Sequence, residues 1–325
     1  MACFKPLTAF KSPSGDIYFH SMSKGYTKKG KTFKPSSPGR EMELACGNCI
    51  GCRLDRSREW ATRICHEAQL YDDNVFITLT YNPENLPPDC GLIKKDFQMF
   101  MRKLRRHVKK QSPGKKIKFF MCGEYGDKSG RPHYHAIIFN YNFDDWVYLF
   151  DSPSGHPIYT SPTLEKIWGY GFVNVGTVSF ESAAYVARYI LKKVNGDMAD
   201  KIDDDTGLKH YERINSFTGE IHEVHPEYCT MSRGGRDGRG IAFNWFKQYK
   251  ADCYPKDFTT VRGVKVSPPR YYDKLLQEYD LEMYDDIKAG RELKAFEMRE
   301  EATASRLLQK RKIKEAQFKQ LKRSL

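Results

Sequence analysis

The sequence predicts an α+β fold, an antiparallel sheet with helices on one face, and three observations carry that prediction. Short β-branched or aromatic runs alternate with segments of helical periodicity over residues 74–195. Two of those runs are joined by a Gly- and Pro-bearing turn, GDKSGRP, of the kind that closes a hairpin. Hydrophobic residues make up 40% of the 325 positions and aromatics 14%, enough for a core and too many for a disordered chain.

Residues 1–45 are rich in Gly, Pro, Ser and Lys and read as an irregular or weakly strand-forming arm. Leu54 to Asp73 carries Ala61, Ile64, Cys65 and Ala68 at helical spacing. VFITLTY, Val75 to Tyr81, is a short apolar strand broken by NPENLPP. Lys94 to Lys110 is an amphipathic helix with Phe97, Phe100, Met101, Leu104 and Val108 on one stripe. The strands IKFFMCGEY and HYHAIIFNY follow, then a short helix around Leu164 to Trp168, a strand GFVNVGTV, and a helix from about Ser182 to Val194. The order βαββαβ plus a helix is the ferredoxin-like (RRM-like) pattern. Four segments result: 1–73, arm, cysteine cluster and helix; 74–195, core; 196–280, a Gly/Arg loop (SRGGRDGRG) and accessory region with a helical start at IAFNWFKQY; and 281–325, a basic helical tail.

The formal net charge of +13 favours a polyanionic partner, nucleic acid or an anionic membrane surface. No apolar run is long enough to span a bilayer, and the N-terminus lacks the apolar stretch of a signal peptide. A soluble cytoplasmic protein is expected, its nine cysteines reduced thiols or metal ligands.

His133 and His135 are two apart in a strand, so both imidazoles leave the same face and can share one metal ion. A hairpin symmetrical about GDKSGR sets Glu124 opposite His133, adding a carboxylate; a slip of one residue would turn it away. A His-x-His pair alone is weak evidence, and Glu124 strengthens it. With open coordination positions, such a set suits Mg²⁺ or Mn²⁺ and can polarise a phosphate. On the helix ESAAYVARYILKKV, the residues Ala183, Ala184, Ala187, Ile190, Leu191 and Val194 form one face. Tyr185, Tyr189 and Lys192 fall on the opposite, outward face. A wet surface pair is the ordinary reading of such tyrosines. A phenol is also a nucleophile when a metal polarises its target and a cation supports the phenolate.

Cys46, Cys49 and Cys52 have a spacing at which thiolates share a soft metal, typically Zn²⁺; Cys3, Cys65 or His66 can supply a fourth ligand. Clustered thiols also pack as ordinary apolar residues. Iron–sulfur ligation lacks a fourth cysteine at standard spacing. The basic face of the Lys94–Lys110 helix, with Arg102, Arg105, Arg106 and Lys109, is a candidate DNA contact, as are Arg233, Arg236 and Arg239 among their glycines. The final basic segment is either a further non-specific contact or a frayed tail.

FITLTY, GRPHYHAIIF and YVARYILKK resemble the three ordered motifs of rolling-circle replication initiators of the HUH superfamily. More narrowly, they resemble the initiators of small single-stranded DNA phages of the Microviridae, gokushovirus type, as do CGNCIGCRLDRSREWA and TMSRGG. The resemblance spans roughly Cys46 to Phe246. It implies an HUH core with His133, His135 and Glu124 as metal ligands, Tyr185 and Tyr189 as two nucleophiles, and Lys192 or Lys193 beside the phosphate. It further implies site-specific nicking and rejoining of origin DNA through a 5′-phosphotyrosine, with host helicase and polymerase as partners, in the cytoplasm of a bacterial host. Relaxases place the tyrosine before the HUH segment, and single-tyrosine transposases lack the second phenol. A non-catalytic single-stranded nucleic-acid-binding module and a zinc-stabilised structural or regulatory protein are the rivals from other classes.

Overall fold

The structure, a computed structural model, describes residues 3–12, 17–19, 26–28, 31–33, 40–126, 129–151, 155, 157–188, 194, 197–234 and 239–320. Contacts divide the chain into two units, Met1–Arg56 with Gly290–Lys322, and Ser57–Ala289.

In the first unit, β1 (Leu7–Lys11), β2 (Ile17–Phe19) and β5 (Arg40–Leu44) form an antiparallel sheet in the order β2-β1-β5, while β3 (Tyr26–Lys28) and β4 (Lys31–Phe33) pair as a hairpin. Ala9 of β1 is fully buried and Phe10 half-buried, while Leu7, Thr8 and Lys11 are exposed. Helix α1 (Ile50–Ala68) begins in this unit, directly after the cysteine turn.

The second unit is built on β6 (Asn74–Thr80), α2 (Lys94–Gln111), β7 (Lys118–Tyr125), β8 (Pro132–Phe139), β9 (Val147–Asp151), β10 (Pro157–Thr160), α3 (Pro162–Trp168) and β11 (Val173–Thr177). It continues with α4 (Phe180–Arg188), α5 (Asp197–Asp200), β12 (Glu212–Ile214), β13 (Ile221–Glu223), β14 (Tyr228–Met231), α6 (Phe243–Tyr249), β15 (Thr259–Val261), β16 (Val264–Val266) and α7 (Arg270–Tyr279). In α8 (Leu281–Glu297), Met283, Tyr284 and Ile287 are half-buried against this unit's core, whereas α9 (Ala304–Gln320), of the first unit, buries no residue. Surface ion pairs such as Arg311–Glu315, one turn apart, lie along α9.

Seven strands form one sheet in the order β14-β7-β8-β6-β11-β10-β9, every neighbouring pair antiparallel. Its middle, β7-β8-β6-β11 with α2 and α3, is the βαββαβ core that the sequence predicts. Alternate residues separate the faces. Val75, Ile77, Leu79, Met121, Tyr134 and Ile138 meet Phe97, Phe100, Leu104, Leu164 and Trp168 of α2 and α3. Burying one such side chain contributes roughly 1.5–3 kcal/mol. Phe120, Cys122, Ile137 and Phe139 look the other way, onto residues of α1, α4, α6 and α7 that include Ile64, Val186, Trp245 and Tyr272. The two crossover helices share one face, as expected, and a second helical layer covers the opposite one. The cause is visible in β8, where Ala136, Ile137, Ile138 and Phe139 are consecutive and fully buried, so neither face can be left to water.

Local chemistry fixes the joints. Ser161 Oγ accepts the Leu164 N–H at 3.1 Å and caps α3, and Gly169, at φ 73°, ends it in the left-handed region. Gly171, at φ +148°, lies against the backbone of residues 80–82, where a Cβ would collide. That approach lets Thr80 and Asn82 N–H donate to Phe172 and Tyr170 carbonyls at 2.9 Å. Among the described residues, no helix is long and apolar enough to cross a membrane.

Candidate functional site

The polar group on the sheet arises from register. β7 and β8 pair with Glu124 opposite His133 and Cys122 opposite His135, the alignment expected from the symmetrical hairpin. Glu124, His133 and His135 leave the same face as Phe120 and Ile137, at the end of the strands where the apolar run stops. His133 Nε2 and His135 Nε2 lie 2.7 and 2.9 Å from Glu124 Oε1. Glu124 is 1% exposed, so its charge is held almost out of water and must be balanced locally. Burial alone would raise its carboxyl; hydrogen bonds from the two imidazoles outweigh burial and hold it at about 2.

The far nitrogens of both rings are fixed. His133 Nδ1 donates to the Arg131 carbonyl at 3.1 Å, and His135 Nδ1 meets Thr78 Oγ1 at 2.8 Å. With Nδ1–H of His133 donating to a carbonyl, the close contact of Nε2 with the carboxylate oxygen needs a proton or a cation between them. Ligand separations of 2.7 and 2.9 Å compare with about 3 Å between adjacent vertices of an octahedron with ~2.1 Å bonds. Oxygen and imidazole donors also suit a hard or borderline divalent ion. The three residues therefore form a candidate metal-binding group.

Helix α4 crosses this same face. Ser182, Ala183, Val186 and Ala187 are its buried residues, and Ala184 is half-buried. Tyr185 differs from its outward assignment: its ring stands edge-on to His135 at 5.2 Å and to Phe76 at 6.3 Å between centroids. The small side chains of α4 let the helix lie close over the strands, which turns the margin of its buried face, where Tyr185 sits, towards the histidines. Phe76 completes the wall by stacking on His135 at 5.7 Å. Tyr189, Lys192 and Lys193 lie outside the described residues. The sequence reading missed Thr78 and Phe76, although period-2 alternation of FITLTY sets both on the histidine face, and it missed β14, which extends the sheet beyond β7.

In the first unit, Cys3, Cys46, Cys49 and Cys52 form a second candidate metal-binding group, with sulfurs within 4.8 Å of one another. Of the three fourth-ligand options, Cys3 joins. Cys46 N–H donates to Cys3 Sγ, Phe4 N–H to Cys49 Sγ and Cys49 N–H to Cys46 Sγ, each at 3.3 Å. Cys49 Sγ to Cys3 Sγ is 3.9 Å, near the ~3.8 Å edge of a tetrahedron with ~2.3 Å Zn–S bonds and far from a disulfide. Burial raises the Cys3 and Cys52 thiols, whereas at Cys49 hydrogen bonds outweigh burial and lower it to about 6. Cys65 and His66 serve the second unit's core. His66 Nδ1 hydrogen-bonds Tyr272 Oη at 2.7 Å, its ring stacks on Trp245, and burial pushes it down to about 3.

The basic residues separate. Arg102, Arg105, Arg106 and Lys109 are exposed on α2, with Arg105 over the Phe119 ring. Arg233 is exposed and Arg236 lies outside the described residues. Arg239 is engaged instead: it stacks on Phe243, donates to Tyr279 Oη and lies 3.8 Å from Glu278. Gly234, at φ +82°, is needed because the Arg239 backbone occupies the place of its Cβ. In this loop, the glycine's close approach is to the chain's own backbone.

A family model described as a replication-associated protein of the ORF2 kind matches residues 74–194, the segment that holds Glu124, His133, His135 and Tyr185. Replication-associated protein VP4 of Bdellovibrio phage phiMH2K is 32% identical over 305 residues, covering 92% of this chain and 85% of that protein. The chain belongs to the family of phage replication-associated proteins, of the Microviridae type. In the same family, replication-associated protein ORF2 of Spiroplasma virus 4 is 31% identical, covering 90% of this chain and 86% of that protein. Replication-associated protein ORF4 of Chlamydia phage 1 is 35% identical over 75% of this chain and 58% of its own length. No solved structure matches. Replication initiation by a small phage is the role that family membership supports.

Proposed function

We propose that this replication initiator is a site-specific, metal-dependent single-strand DNA endonuclease and strand-joining enzyme of the HUH type, starting rolling-circle synthesis of a small single-stranded DNA phage. The observation that carries the reading is the edge-on placement of Tyr185 against His135 at 5.2 Å, beside a carboxylate and a second imidazole on one sheet face. Mg²⁺ or Mn²⁺, when bound by Glu124, His133 and His135, supplies a Lewis acid for a phosphate oxygen. The chain's residues do the rest. Arg131 carbonyl and Thr78 hydroxyl hold the two rings in position. Tyr185 Oη, losing its proton to solvent, attacks the scissile phosphorus. The P–O3′ bond breaks, the strand leaves with a 3′ hydroxyl, and a 5′-phosphotyrosine remains. That ester keeps the energy of the phosphodiester, so the reverse attack by a 3′ hydroxyl rejoins a strand without ATP.

Tyr189, four residues after Tyr185, is proposed as the second nucleophile, and Lys192 or Lys193 as the cation beside the phosphate or phenolate. Arg102, Arg105, Arg106, Lys109, Arg233, Arg236 and Arg239 are proposed DNA contacts, Arg239 by exchanging its present partners. The freed 3′ hydroxyl would serve a host polymerase, with a host helicase opening the duplex, in the host cytoplasm. The four-cysteine group is proposed to hold a structural Zn²⁺. The test is a denaturing gel of the protein with single-stranded origin oligonucleotides and Mn²⁺. A covalent adduct lost in EDTA and in a Tyr185→Phe/Tyr189→Phe double variant supports transesterification; tight binding without adduct points to a non-catalytic binding module.

A further inference from the structure

On the sheet face away from Glu124, His133 and His135, helices α2 and α3 border a cleft of about 360 Å³ lined by Lys103, Arg106, His107, Lys110, Thr163, Lys166 and Ile167. The lining follows from helical spacing. Phe97, Phe100, Met101, Leu104 and Val108 commit one stripe of α2 to the sheet. Lys103, Arg106, His107 and Lys110 recur at i, i+3, i+4 and i+7 and form a second stripe alongside it, towards α3. Lys166 of α3 adds a cation, and Ile167 contributes an apolar wall.

We propose that this cleft binds a phosphate of the DNA backbone outside the strand held at the histidine face. Three features point that way. First, no carboxylate lines the cleft, and like charges one turn apart destabilise a helix, so the stripe is not explained by the stability of α2. Elsewhere in the same unit, lysines do find carboxylates, as Lys118 does with Glu67 at 2.7 Å and Lys115 with Asp73 at 2.8 Å. Second, the His107 ring lines the cleft and packs edge-to-face on Tyr141, which sets an imidazole among the cations. Third, Lys and Arg side chains offer donors only, which fits phosphate oxygens and carries no base readout. Lys103 already lies 5.5 Å over the Tyr170 ring, which limits its wandering.

Strand alternation separates this cleft from the metal group. Tyr134 and Ile138 lie beneath α2 and α3, and His133 and His135 on the other side, so one nucleotide cannot touch both. The cleft therefore takes flanking DNA and contributes affinity. This rests on the reading of the chain as a DNA-acting initiator, but its test does not need strand cleavage.

The full chain is titrated by fluorescence anisotropy against a short origin oligonucleotide and one extended on both sides, over a range of salt. Wild type is compared with a Lys103→Gln/Lys110→Gln/Lys166→Gln variant and, as a lighter change, Lys166→Gln alone. The expected result is that the affinity advantage of the longer strand falls about tenfold in the triple variant. Its salt slope falls by about 0.7, the value for one phosphate contact on a single strand. An unchanged advantage and slope in both variants, with unfolding midpoints as in wild type, would overturn the proposal. So would saturation by inorganic phosphate, read at the His107 imidazole resonances, that longer DNA fails to displace; that would make free phosphate the ligand. Absence of nicking by wild type would count against the proposed function alone, since the binding comparison stands without it.

Discussion

The Glu124–His133–His135 group and the four-cysteine group gather their ligands by different routes. The first uses one hairpin: two histidines two apart on β8 and a glutamate opposite them on β7, set by the ladder's period. The second brings Cys3 to residues 46–52, with backbone N–H groups donating to the sulfurs. The first is positioned by the ladder itself and faces the Tyr185 ring. The second is closed by four sulfurs and joins distant parts of the chain. A group set by one hairpin and faced by a phenol suits chemistry, whereas a four-sulfur group spanning a long loop suits folding.

That contrast breaks most visibly if the cysteine group is not structural. Cys52→Ser is expected to lose one zinc per chain by metal analysis and to make residues 1–56 sensitive to protease. Structural zinc contributes ~10–16 kcal/mol in small domains, of which one lost ligand forfeits a large part. His135→Ala should behave oppositely. Adduct formation falls by about a thousand-fold or more, as expected when several kcal/mol of charge stabilisation is lost, while circular dichroism stays native. Thr78→Val sharpens the comparison further. It keeps the shape beside His135 and removes the hydroxyl 2.8 Å from Nδ1. Apparent Mn²⁺ affinity, read from adduct yield against metal concentration, should weaken by ~10–100-fold.

The smallest effect concerns His66, which sequence reasoning kept among the zinc ligands. Its ring stays neutral in the folded protein down to about 3, against an ordinary 6.5. As pH falls from 6.5 towards 3, the unfolded chain takes up a proton that the folded one refuses, so stability is lost across that window. His66→Gln should flatten the fall of the unfolding midpoint between those values. An identical pH profile in both proteins would return His66 to a surface or ligand role.

Legibility followed the same division. The core βαββαβ order, the register of Glu124 with His133 and the apolar stripe of α2 were readable because short-range periodicity determines them. Cys3 stood as one of three alternatives, since spacing says nothing about which distant residue closes a loop. The packing of α1, α4 and α6 on the opposite face, and α7 altogether, were unread because the C-terminal third has a weak pattern and the layer depends on Trp245, Phe246 and Tyr272 meeting α1. Tyr185 was assigned to the outer face of its helix because a wheel ranks polarity, whereas the structure sets a half-buried phenol at the edge of the contact.

In the proposed mechanism, Tyr185 of α4 or Tyr189 carries the 5′ end of the nicked strand. Trypsin separates the two candidates, because Arg188 lies between Tyr185 and Tyr189. Mass spectrometry of the adduct formed with Mn²⁺ and an origin oligonucleotide, after nuclease trimming, should find a nucleotide on the peptide ending at Arg188 or on the peptide YILK. Nucleotide on any other residue, or on none while the oligonucleotide is still cut, would contradict the account.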